Sequence, residues 1–75
     1  MTKRKLFDDI KQNPVRIYRA PGDVLRDRRF EDAERLEILR AWAQQAPAPE
    51  DETAIDILIQ ELERRLYPAS DHAAE

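Results

Sequence analysis

The chain has 75 residues, no cysteine, a single histidine and a formal net charge of −3. A domain of this size buries only about 60% of the surface its unfolded chain exposes, and the missing cysteines exclude disulfides and thiolate metal sites. No run of about 18 apolar residues offers a membrane-spanning helix, and the opening MTKRKLFDDI lacks the apolar stretch of a signal peptide, so a cytoplasmic protein is expected.

One glycine beside many Leu, Glu, Arg and Ala favours helix over strand. Leu6, Phe7 and Ile10 recur at helical spacing, which predicts a short amphipathic helix over Thr2 to Gln12, with Thr2 as N-cap and Asn13-Pro14 as its stop. Val15 to Arg19 alternates apolar and polar residues and reads as an extended, buried connector, because no second strand-like run exists to pair with it. Pro21 then opens a short helical turn to Arg26 that points Val24 and Leu25 inward.

The next helix is expected from about Glu31 to Gln45. Leu36, Ile38, Leu39, Trp42 and Ala43 span roughly 160° of its circumference, wide enough for a central helix with more than one neighbour. Pro47 and Pro49 must break it. A last helix covers about Pro49 to Tyr67, with Glu50, Asp51 and Glu52 in its first turn and Arg64 and Arg65 in its last, the polarity that the helix dipole favours. Its stripe is Ile55, Leu58, Ile59, Leu62 and Leu66, and Pro68 ends it. The predicted fold is all-α: a small three-helix bundle over residues 1–68 with an additional short helical turn before the central helix, followed by a disordered tail, 69–75.

Tyr18, Pro21, Val24, Leu25, Asp27, Phe30, Arg35, Ile38, Leu39 and Trp42 together make a spaced pattern. It resembles that of a small family of proteobacterial helical proteins to which no activity attaches, over about residues 18–66. The resemblance implies a compact helical fold in a bacterial protein and adds no mechanism. Where that family places serines before the proline and before the long helix, this chain has Ala20 and Glu31, and AQQA follows Trp42 in place of charged residues. Losing a hydroxyl cap costs about 1 kcal/mol, so both helix starts are expected to fray unless Asp27 or Asp32 caps at a shifted position.

Most of the motif is explained by folding. Pro21 sets a turn, Asp27 bonds loop amides, and Trp42 anchors the core. Catalytic constellations are missing from the sequence. His72 lies in the tail, where Ser70-Asp71-His72 cannot hold a nucleophile, base and orienter in register. Glu50, Asp51 and Glu52 read as a helix N-terminal charge cluster rather than a cation site, and no glycine-rich phosphate loop exists. No enzyme, cofactor or metal is expected.

Charge is the more informative signal. Residues 1–30 hold nine Lys and Arg against four Asp, +5, whereas residues 31–75 hold four Arg against twelve acids, −8. Lys3, Arg4, Lys5, Arg26, Arg28 and Arg29, with Arg16 and Arg19, are therefore candidates for a nucleic-acid-binding face. Internal neutralisation by the acidic helices is the preferred alternative, because the pI of about 5.2 is far from basic. A helix-turn-helix mimic is further weakened by Glu31-Asp32-Ala33-Glu34 at the start of its recognition helix. A membrane-surface role for Thr2 to Gln12 is disfavoured by Asp8 and Asp9.

The reading that remains is a protein–protein interaction module, a monomer or weak homodimer, with its partner unidentified. Ile57, Tyr67 and Arg64 are its candidate contact residues, because Ile57 lies about 160° from the core stripe of the last helix.

Overall fold

The computed structural model describes residues 3–67, with side chains from Arg4 onward. The expected Thr2 cap, Pro68, the 69–75 tail and His72 lie outside the described residues. The elements in chain order are α1 (Lys3–Gln12), a 3-10 turn (Pro14–Arg16), α2 (Gly22–Arg26), α3 (Asp32–Ala43) and α4 (Pro49–Leu66). No strand occurs among the described residues. The all-α bundle of three main helices with an added short helix is the observed architecture.

In α3, Leu36, Ile38, Leu39 and Trp42 are all buried. That wide arc suits the central position, because α3 packs on α4 most extensively and also on α1 and α2. Helices α1 and α4 both touch α3 but not each other. The smallest principal extent is 19 Å, roughly two helix diameters, so the bundle is a flat two-layer arrangement. Ile55 and Leu62 of α4 and Ile10 of α1 are fully buried, with Leu58, Ile59, Leu66, Leu6 and Phe7 partly buried around them.

The connector after α1 differs from the expected extended segment. Pro14 starts a 3-10 turn whose carbonyl accepts the amides of both Ile17 and Tyr18 at 2.9 Å. This coil places Pro14 and Tyr18 on the core side and turns Val15 and Ile17 outward, 60% and 48% exposed. A proline's fixed φ and an available carbonyl favour the turn over an unpaired extended segment whose amides would go unsatisfied.

The start of α3 is capped despite the missing hydroxyl. At α3 the Glu34 carboxylate accepts the Glu31 amide at 2.8 Å, part of a reciprocal capping box. Before α2, Asp23 accepts the Ala20 amide at 3.4 Å. At α3 the Glu31 side chain, accepting the backbone amide of Glu34, does the work expected of a hydroxyl cap, whereas no side chain caps the first turn of α2; Asp32 turns to Arg35 and Asp27 to the loop that follows it. At the far end of α3, Ala46 adopts φ 53°, the left-handed conformation that reverses the chain ahead of Pro47. The Gln45 side chain donates to the Lys11 carbonyl at 2.8 Å, closing the C-terminus of α1.

Candidate interaction surfaces

Asp27 is the hub of the densest polar cluster. Its carboxylate accepts the Tyr18 hydroxyl at 2.7 Å, the Arg29 amide at 3.0 Å and both arms of the Arg29 guanidinium at 2.9 and 2.7 Å. Its carbonyl accepts Arg35 at 3.1 Å, and the same guanidinium reaches Asp32 at 2.8 Å. Hydrogen bonds from Arg29, aided by that from Tyr18, hold the Asp27 carboxyl well below the usual carboxylate range against the opposing effect of burial. Burial first, then the Asp27 contact, pushes the Tyr18 phenol upward. The Asp27 contact likewise raises Arg29. The Tyr18 ring stacks on Trp42, 6.4 Å between centroids and 22° between planes. The Asp27 carboxylate, the Tyr18 hydroxyl and the Arg29 guanidinium hold the α2–α3 loop to the core, a structural task, while the buried Nε of Arg35 has no partner among the described residues.

Among the residues considered for nucleic acid, Arg29 is consumed by Asp27, and Arg26 sits 3.5 Å from Asp23 with most of its side chain in solvent. Lys5 is exposed and makes an interaction of its own; the side chain of Lys3 lies outside the described residues. Arg4 and Arg28 are exposed and enter no ion pair among the described residues, and the same is true of Arg16 and Arg19. Lys11–Glu37 ties α1 to α3, and Arg40–Glu63 ties α3 to α4. Of these and the other ion pairs named here, Lys11–Glu37 crosses between the basic and acidic halves; the rest stay within one half.

On α4, Ile57 is 61% exposed and Tyr67, just past the helix end, 55%. Arg64 lies between them, 3.6 Å from Glu61. Ten residues separate Ile57 from Tyr67, about 15 Å of axial rise, so they form two small apolar sites on one side of the helix rather than a continuous patch. A second apolar surface escaped the sequence reading. An open groove of about 490 Å³ runs between α1 and the 3-10 turn, lined by Leu6, Asp9, Gln12, Asn13, Arg16 and Ile17. Pro14 was its one visible signal, since a proline-led turn breaks the alternation that would bury Val15 and Ile17 together.

Among the described residues no three His, Cys, Asp or Glu side chains converge as metal ligands, and no helix is long and apolar enough to cross a membrane. No family model matches the chain, and no curated protein or solved structure matches it either.

Proposed function

We propose that this chain is a non-enzymatic, cytoplasmic protein–protein interaction module that captures a protein partner through the outer face of α4. The observation that carries the reading is Ile57: a β-branched apolar side chain, 61% exposed, opposite a stripe that already satisfies the core. A rigid helix presenting an apolar anchor, with Arg64 and Tyr67 further along toward its C-terminal end, offers residue types that dominate binding energy at contact centres, aromatic residues and arginine among them. The Asp27 cluster supports the same reading, since its ionisable groups are committed to one another and leave no poised acid, base or nucleophile.

The test is affinity capture from native lysate with wild type and Ile57→Glu side by side. The variant should retain its helical circular dichroism and lose the captured protein. A nucleic-acid role using Arg4, Arg16, Arg19 and Arg28 is the competing reading, and its probe is titration of a labelled duplex and a single strand at low salt. Binding that fades steeply with added salt and survives Ile57→Glu would overturn the proposal. Charge reversal in that experiment belongs at Arg28 and Arg19, because reversing Arg29 would break the Asp27 cluster and confound binding with folding.

A further inference from the structure

The groove between α1 and the 3-10 turn has the chemistry of a docking surface distinct from the α4 face. Its apolar side is Leu6 and Ile17, with Val15 exposed on the same turn, and its polar side includes Arg16. Arg19 follows two residues on, exposed like Arg16 and without an ion pair among the described residues. Residues 4–19 carry five Lys and Arg against two Asp. A phosphate backbone would meet the arginines but offers nothing to Val15 and Ile17. The surface instead suits a helix that is acidic with an apolar centre.

Such a helix exists in the molecule itself. Residues 49–63 of α4 contain six Asp and Glu and no Lys or Arg. Glu50 and Asp56 are exposed and enter no ion pair among the described residues, and Ile57 stands beside them. Within one chain the two surfaces cannot meet, because α1 and α4 flank α3 without touching. We infer that the groove of one copy, with Arg16 in its wall and Arg19 beside it, docks the acidic outer face of α4 from a second copy, with Ile57 against Ile17 and Val15, and Arg16 and Arg19 facing Glu50 and Asp56. The inference deepens the interaction-module reading and rests on it, naming a second copy of the chain as an occupant of the α4 face. Each copy offers one groove and one helix face, so the contact is heterologous and builds chains or a closed ring rather than an isologous pair.

Sedimentation velocity of the full chain over a wide concentration range tests it. At low salt the average mass should rise with concentration, and high salt should weaken association about tenfold, since charge complementarity carries much of the contact. Arg16→Glu with Arg19→Glu (groove variant) and Glu50→Lys with Asp56→Lys (helix variant) should each be monomeric and retain wild-type circular dichroism. Mixed together, they should form a 1:1 complex that grows no further, because one intact groove meets one intact α4 face. A wild type that stays monomeric at all concentrations, or variants that fail to complement each other, would overturn the inference. Loss of self-association alone leaves capture of a different protein by Ile57 standing, so the two readings fail separately.

Discussion

The Tyr18 hydroxyl donates to Asp27 at 2.7 Å while its ring stacks on Trp42. One side chain therefore links the loop ahead of α3 to the largest residue of the core. Tyr18→Phe keeps the stacking and removes only the bond to the carboxylate. A hydrogen bond to a charged group contributes about 1.5–3 kcal/mol, and urea unfolding should show a loss in that range. A loss near zero would mean that Arg29 alone satisfies Asp27.

The same cluster sets the acid limit of stability. Asp27 titrates below its ordinary value in the folded chain, so the folded state binds fewer protons than the unfolded state as pH falls. Its contribution is whole above the unfolded value of about 3.9 and is lost as pH drops from there toward the lower folded value. Asp27→Asn should flatten that part of the stability curve, measured by unfolding at stepped pH. At the alkaline end Tyr18 has the opposite sign: its contribution is intact below a phenol's ordinary value of about 10 and declines above it.

Trp42 is 1% exposed, and its Nε1 finds no acceptor among the described residues. Truncation to alanine should cost about 3–5 kcal/mol, enough to unfold much of the population of so small a domain. Trp42→Phe should cost clearly less, since it leaves a smaller cavity and removes a buried, unpartnered donor. Thermal melts of the two variants compare them directly, and equal losses would place the indole nitrogen in a bond.

Ala46 holds φ at 53°, where a Cβ is strained and glycine is at ease. Ala46→Gly should stabilise the chain by about 0.5–1 kcal/mol despite the added freedom of the unfolded state. A lower melting temperature would show that the α3–α4 connection does not need the left-handed conformation.

Ile57→Glu should change stability by no more than about 0.5 kcal/mol, the ordinary range for an exposed position away from caps and the core. Chemical denaturation provides the measurement. A larger loss would place Ile57 in the fold rather than at a contact surface.

Helix identity was legible from periodicity and punctuation. The stripe from Ile55 to Leu66, the arc around Leu36, Leu39 and Trp42, and the breaks at Asn13-Pro14 and Pro47 rest on local geometry, because a helix repeats its faces every 3.6 residues and proline cannot continue one. The exposure of Ile57 followed from that same angular count. The five residues Val15 to Arg19 were too few for their alternation to separate a strand from a turn, and only the doubly accepting Pro14 carbonyl decided which side chains faced out. Charge partners were equally out of reach. Which acid pairs with Lys11 or Arg40, and whether Arg16 and Arg19 stay unpaired, depends on distances of a few ångströms between segments far apart in the chain. Composition supplied the excess of positive charge in the first half; tertiary packing set α1 and α4 against α3 without contact between them.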